Sequence, residues 1–165
     1  MKEVFEFDVD EAVKQYADMV YRLALMNTKN VQDAEGVFQD VFLKLLRYQK
    51  TITSEEHLKA WLIRVTLNQC KSRAVLAWNK RNVPLDSIAE TGTVEEKEDY
   101  SEVYEAVKNL PPKYRQVIYL YYYDGYKINE IASILEKNEA TIKTQLSRGR
   151  QLLNNALKGE FGDAG

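Results

Sequence analysis

The chain offers few groups for covalent catalysis. It has one histidine, His57, and one cysteine, Cys70, among 165 residues. A single histidine leaves no histidine pair or cluster for a metal, and the sequence contains no glycine-rich phosphate loop and no nucleophile–base arrangement. Carboxylates are abundant, but they fall on exposed faces and in one charged segment, where solvation explains them. We therefore predict a protein that is not an enzyme, with no catalytic residue, cofactor, metal site or small-molecule substrate.

Groups suited to binding an anion are concentrated near the C-terminus. Residues 128–135 carry an apolar stripe at helical spacing, and a second such stripe runs from Ile142 to Leu157. The polar residues Glu136-Lys137-Asn138 separate the two stripes. A short helix, a tight turn and a longer helix are typical of a DNA-reading helix-turn-helix. Packed helix pairs that bind no DNA have a similar pattern, so that alternative stays open.

The longer helix carries small, polar and cationic residues opposite its apolar stripe. They are Ala140, Lys143, Thr144, Ser147, Arg148 and Gln151. Such side chains can contact phosphates and base edges in the major groove, and the N–H groups of a helix N-terminus favour phosphate. Neutralising about four phosphates gives a log–log salt slope of only about −3.6. We therefore expect a second DNA surface, a tether or a dimer.

A second cationic region lies earlier in the chain. From His57 to Leu85 there are six lysines and arginines and no carboxylate. A solvated helix usually mixes both signs of charge, so this segment favours a polyanion as its partner. Chance, combined with pairing to acidic faces of neighbouring helices, is the alternative explanation.

Apolar spacing predicts an all-α fold. Helices are expected at Val9 to Met26, at Val31 to Tyr48 and from about Glu55 to Trp78. Three signals mark helix starts: Asn30 as an N-cap, Thr53 with Glu56 as a capping box, and the Pro111-Pro112 pair. On the second helix Leu43 is expected to be exposed among polar residues, and this position favours a partner surface there.

Charge divides the chain into two small helical domains. Pro84 ends the third helix, and from Asp86 to Glu105 eight carboxylates accompany one lysine. This composition predicts a flexible acidic linker. We place the domains at residues 1–82 and 99–160 and the linker at residues 83–98. The acidic N-terminus without an apolar core, the lack of a membrane span and the single cysteine predict a cytoplasmic protein.

Three segments in order resemble extracytoplasmic-function (ECF) sigma factors, small members of the sigma-70 family that direct bacterial RNA polymerase to promoters. DAEGVFQDVFLKLLR (33–47) resembles the core-binding helix of region two. HLKAWLIRVTLNQCKSR (57–73) resembles the helix that melts and reads the minus-ten element. The segment 110–153 resembles region four, which reads the minus-thirty-five element. The resemblance implies promoter-specific initiation of transcription.

The resemblance also implies site residues and partners. Polymerase would be bound by Asp33, Glu35, Gln39, Asp40 and Leu43. The minus-ten element would be contacted by Lys50, Thr51, Thr53 and Ser54 in a base-capturing loop and by Arg64, Asn68 and Lys71 on the adjacent helix. The minus-thirty-five element would be read by Thr141, Lys143, Thr144, Ser147 and Arg148. The implied partners are core polymerase (clamp and flap), promoter DNA and an anti-sigma factor, often membrane-anchored.

Two residues depart from the family pattern. Gly36 stands where the family often has an acid, and Glu136 occupies a turn position often held by glycine. The main rival interpretation is a two-domain transcription regulator that binds a symmetric operator without polymerase. A recombinase or nuclease would require a catalytic domain that the first 82 residues do not resemble. A polymerase adaptor that reads no DNA would leave the carboxylate-free segment His57–Leu85 unexplained.

Overall fold

The computed structural model describes residues 5–80 and 102–161, which form two compact helical units. One unit lies within Met1–Glu95 and the other within Glu96–Gly165. All regular structure in the described ranges is helical, so the predicted all-α fold is confirmed. The predicted linker and the boundaries placed at residues 82, 83, 98 and 99 lie outside the described residues.

Within residues 5–80, three helices and a 3-10 turn build the first unit. These elements are α1 (Val9–Met26), α2 (Val31–Tyr48), the 3-10 turn (Gln49–Thr51) and α3 (Glu55–Lys80). The bounds of α1 and α2 are those predicted from apolar spacing, and α3 runs two residues past the predicted Trp78. Each helix packs against the other two, which buries their apolar stripes in one common core.

Side-chain caps determine where these helices begin. The Asn30 side chain accepts a hydrogen bond of 2.7 Å from the Asp33 backbone N–H, as its N-cap prediction requires. At α3 the cap lies one residue later than predicted. Ser54 Oγ accepts from the backbone N–H of His57 at 3.0 Å, so the capping pair is Ser54 and His57 rather than Thr53 and Glu56.

Helix α3 buries a wider face than its sequence pattern indicates. Leu58 and Leu62 are buried as expected, while Trp61, Val65 and Gln69 are half-buried. The residues buried in addition are Ile63, Thr66, Leu67 and Cys70. The reason is geometric, because α3 contacts both α1 and α2 and so presents two adjacent stripes to the core.

The described part of the second unit, residues 102–161, contains four helices and one π-helical turn. They are α4 (Glu102–Lys108), α5 (Pro112–Ile118), the π-helical turn (Tyr119–Tyr123), α6 (Ile128–Leu135) and α7 (Glu139–Phe161). Helix α5 begins at Pro112, where the missing N–H is harmless. Arg115 Nη1 donates to the carbonyls of Lys108 and Leu110, each at 3.2 Å, and so fixes the α4–α5 connection.

Helix α7 crosses the unit and packs against α4, α5 and α6. Gly149 lies buried at the contact with α5. A Cβ at this position would lie 2.8 Å from Cγ1 of Ile118, which is itself buried. Glycine therefore permits the close approach of α7 to α5, and this packing holds the N-terminal half of α7 in place.

Candidate nucleic-acid interface

Helices α6 and α7 form the predicted helix-turn-helix around the three-residue turn 136–138. Glu136 has φ 59° and ψ 47°, the left-handed conformation that redirects the chain. The Lys137 N–H then donates to the carbonyl of Ala132 at 2.9 Å, and Asn138 Oδ1 caps α7 by accepting from the Thr141 N–H at 2.9 Å. Ile131, Ile142 and Leu146 are buried between the helices. The turn and its caps thus fix the direction of α7.

The predicted reading residues share the outer face of α7. Lys143, Thr144, Ser147 and Arg148 are exposed, while Thr141 is half-buried. A groove of about 400 Å³ runs beside them. Its lining residues are Lys113, Tyr114, Asn138, Ala140, Thr141, Thr144, Gln145 and Arg148. Cations, hydroxyls and amides along a groove can contact a phosphate backbone and base edges.

Sequence reasoning missed Lys113 and Tyr114 as neighbours of the reading helix. Both belong to the first turn of α5, and they line the same groove as Thr144 and Arg148. The Pro111-Pro112 signal placed a helix start here, but the contact between α5 and α7 depends on tertiary packing. A second groove of about 450 Å³ joins Lys127 and Asn129 of the α6 start to Lys143.

The tyrosines before α6 act mainly as packing groups. Tyr119 is buried and stacks on Tyr123 with ring centroids 5.0 Å apart. Arg150 Nε donates to the Tyr122 hydroxyl at 2.6 Å, and its guanidinium lies over the Tyr121 ring. Tyr121 and Tyr122 therefore hold the guanidinium of Arg150, and through it they contact one side of α7.

The predicted minus-ten residues lie on the α2–α3 loop and on α3. Lys50, Thr51, Thr53 and Ser54 are all exposed, while Ile52 between them is buried. On α3 the side chains at i, i+4 and i+7 form one stripe, with Asn68 and Lys71 exposed and Arg64 half-buried. Within the described residues, α3 has carboxylates only at Glu55 and Glu56 in its first turn. The remainder of this helix is cationic, which suits a nucleic-acid strand.

Two carboxylates on the predicted polymerase face of α2 are paired with an arginine of α3. Arg73 of α3 lies 3.7 Å from an Asp33 carboxylate oxygen and 3.4 Å from one of Asp40. Its guanidinium fills the space above Gly36, where any side chain would overlap it. For this cation, pairing with an acidic face is therefore the explanation. Glu35 and Gln39 are exposed.

Apolar side chains complete this face of α2. Leu43 is 63% exposed, as its position among polar residues predicted. Leu46, which the sequence interpretation did not single out, is 53% exposed on the next turn. Leu43 and Leu46 lie three residues apart on the helix, so the two exposed side chains are neighbours on this face.

Comparison with known proteins identifies the two units separately. Residues 12–78 match the family description "Sigma-70 region 2", and residues 100–153 match "Sigma-70, region 4". The chain belongs to the sigma-70 family. These matches confirm the predicted membership of the sigma-70 family. Region 2 contains the α2 face, the loop and most of α3, and region 4 contains the helix-turn-helix.

Curated relatives agree with the family, and a solved structure shares the fold. The chain is 29% identical over 143 residues to the RNA polymerase sigma factor SigV of Bacillus subtilis, covering 85% of each chain. It is 27% identical to the ECF sigma factor SigW of the same organism, covering 96% of this chain and 95% of SigW. The fold resembles the sigma factor RpoE crystallised with the anti-sigma factor NepR from Bartonella quintana, at TM-score 0.69 and 24% identity, covering 90% of this chain and 96% of RpoE.

Two further observations concern residues 5–80 and 102–161. In these ranges no three His, Cys, Asp or Glu side chains are arranged to hold a metal ion. No helix in them has the length and apolarity to cross a membrane.

Proposed function

We propose that this protein directs promoter-specific transcription initiation by binding core RNA polymerase, reading the minus-thirty-five element and melting the minus-ten element. The observation that carries the proposal is that residues suited to nucleic acid lie on two separate units of one sigma-70 chain. One is the capped helix-turn-helix of residues 128–161, and the other is the cationic α3 with its preceding loop. A single operator-binding regulator would use only the first.

Helix α7 would read duplex DNA through its exposed face. Arg148 and Lys143 supply cations, and Thr144 and Ser147 supply hydroxyls that can donate to or accept from base edges. Thr141 lies beside the Asn138 cap, so its backbone N–H is already used. Lys113, which lines the same groove, would contact the phosphate backbone and set the register of the reader.

The loop at residues 50–54 and helix α3 would favour the melted minus-ten element. Extruding a base from a duplex costs a few kcal/mol, so the protein must bind the extruded form better than the paired form. The exposed hydroxyls of Thr51, Thr53 and Ser54 can bond the edge of such a base. Asn68 lies on the adjacent helix, and Arg64 and Lys71 on the same stripe would hold the strand backbone.

The α2 face would bind core polymerase. Glu35, Gln39 and Leu43 present an exposed acid, amide and apolar group at i, i+4 and i+8, and Asp33 and Asp40 add carboxylates beside them. Docking on the polymerase clamp would cover Leu43, and region four would contact the flap. We place this activity in the cytoplasm, with an anti-sigma factor as a further partner, as in the RpoE–NepR complex.

Reconstitution with core polymerase and a library of randomised promoters tests the proposal. We expect run-off transcripts only when the protein and core are both present, from templates that share two separated sequence elements. Absence of initiation together with absence of core binding would overturn the proposal. Tight binding to a symmetric duplex site without polymerase would instead support the two-domain regulator.

A further inference from the structure

The loop proposed to capture a base, residues 50–54, is held at three points. The third contact is made by His57, which has no role in the function proposed above. Thr51 Oγ1 donates to the carbonyl of Tyr48 at 2.7 Å. Ile52 is 2% exposed and anchors the centre of the loop in the core. The backbone N–H of Thr53 donates to Nδ1 of His57 at 3.0 Å. The exposed residues of the loop therefore stand on a fixed backbone.

His57 contacts both loop residues that precede α3. Its Nδ1 accepts from the Thr53 N–H and lies 3.2 Å from the Thr53 hydroxyl, while its own backbone N–H donates to Ser54 Oγ at 3.0 Å. A ring nitrogen that accepts from a backbone N–H carries no proton, so Nδ1 is the acceptor in this contact. The ring therefore supplies an acceptor to the backbone of the loop, at the Thr53 N–H.

We infer that His57 is a positioning residue for base capture, holding Thr53 and Ser54 in the arrangement that receives the extruded base. The inference rests on the proposed function of the loop. A loop fixed before binding loses less conformational entropy when the base enters, which strengthens capture without any added contact to the base. His57 acts through the loop, so its removal should weaken capture even though all the hydroxyls remain.

Two substitutions isolate the Nδ1 contact. In His57→Asn, the amide oxygen stands where Nδ1 stood and can accept from the Thr53 N–H. In His57→Leu, a methyl group occupies that place and cannot accept. Both side chains suit a half-buried position, and both retain the backbone N–H that donates to Ser54.

The experiment measures binding of holoenzyme, assembled from the full chain and core polymerase, to single-stranded minus-ten DNA. The probes are the non-template strand of a selected promoter and copies with one abasic site at each successive position. For the wild type, the abasic site at the captured position should weaken binding most. We expect His57→Asn to keep the wild-type ratio of affinities for the intact probe and the probe that is abasic at the captured position. In His57→Leu this ratio should fall about tenfold, the scale of one ordered loop contact.

Asn30→Ala is the matched structural control. It removes the N-cap of α2 in the same unit. The unit should therefore lose the stability that a helix cap contributes, while the loop at residues 50–54 stays unchanged. It should keep the wild-type discrimination. Equal discrimination by His57→Leu and wild type, or equal loss in Asn30→Ala and His57→Leu, would overturn the inference while the proposed function stands. Failure of the wild-type holoenzyme to distinguish any abasic probe would overturn base capture and the inference with it.

Discussion

Glu136 holds the helix-turn-helix in a conformation that disfavours its own side chain. Its φ of 59° lies in the left-handed region, where a residue with a Cβ pays about 1–2 kcal/mol. The sequence indicated this position, since glycine is often found there in the family. The structure adds that the left-handed turn is what lets Lys137 N–H reach the carbonyl of Ala132.

Glu136→Gly should therefore stabilise the second unit. The relieved strain exceeds the extra entropy that glycine brings to the unfolded chain, about 0.4–1 kcal/mol, so we expect a net gain of about 0.5–1 kcal/mol. Denaturant unfolding followed by circular dichroism measures it. The tryptophans, Trp61 and Trp78, belong to the first unit and identify its transition separately.

Lys137→Gly is the control for that substitution. Lys137 lies in the same turn with a negative φ, so glycine there should give no gain or a small loss. An equal gain from both variants would mean that backbone strain at Glu136 is not the cause.

Leu43 is the residue whose exposure the sequence predicted and whose role the fold leaves open. Leu43→Ala should weaken binding to core polymerase by about tenfold or more, because burying a leucine side chain contributes about 1.5–3 kcal/mol. The free protein should unfold at the same denaturant concentration, since Leu43 is 63% exposed. Fluorescence anisotropy with labelled protein and core measures the affinity.

Val31→Ala, at the other end of α2 and 41% exposed, should bind core normally; a matching loss there would contradict a specific role for Leu43.

At the scale of elements, two helical glycines have opposite surroundings. The space above Gly36 in α2 holds the guanidinium of Arg73, the far end of a flexible side chain. The space above Gly149 in α7 holds the branched carbons of Ile118, which is buried against α7. The same substitution should therefore cost more stability in α7 than in α2.

Gly149→Ala should destabilise the second unit, while Gly36→Ala should leave the stability of the first unit nearly unchanged. Alanine gains about 1 kcal/mol of helix propensity at either site. At Gly36 the cost is displacement of Arg73 from two partly exposed ion pairs, each about 0.2–1 kcal/mol, which leaves little loss or a net gain. At Gly149 overpacking costs about 1–3 kcal/mol. Denaturant unfolding read by tryptophan fluorescence for the first unit and by circular dichroism for the second checks both; equal losses in the two units would contradict these packing assignments.

Element bounds were the most predictable part of the molecule. Apolar spacing predicted α1, α2 and the turn at 136–138 as the structure has them, because each is a local consequence of one amphipathic stripe and its caps. The wide buried face of α3 and the contact of Lys113 with the α7 groove were not predictable, because both depend on how helices pack. The Arg73–Asp40 pair spans 33 residues of sequence for the same reason.

For the whole molecule, the central claim is that two DNA surfaces on two units act on different parts of one promoter. Arg148→Ala should weaken holoenzyme binding to a duplex carrying the minus-thirty-five element by about tenfold, the value of one good contact to a base. It should leave binding to single-stranded minus-ten DNA unchanged. Asn68→Ala should do the reverse. Competition binding with the two DNA probes measures both, and a variant that lost affinity for both probes equally would contradict separate roles.

Permanganate footprinting of a selected promoter tests the account most directly, because it detects thymines that have left the base stack. Core polymerase alone, the protein alone and the two together are compared on the same duplex. We predict reactive thymines in the minus-ten element only with both components, and a loss of this reactivity when Asn68 is replaced by alanine. Reactivity that is absent with both components, while the protein alone protects a symmetric duplex site, would contradict it.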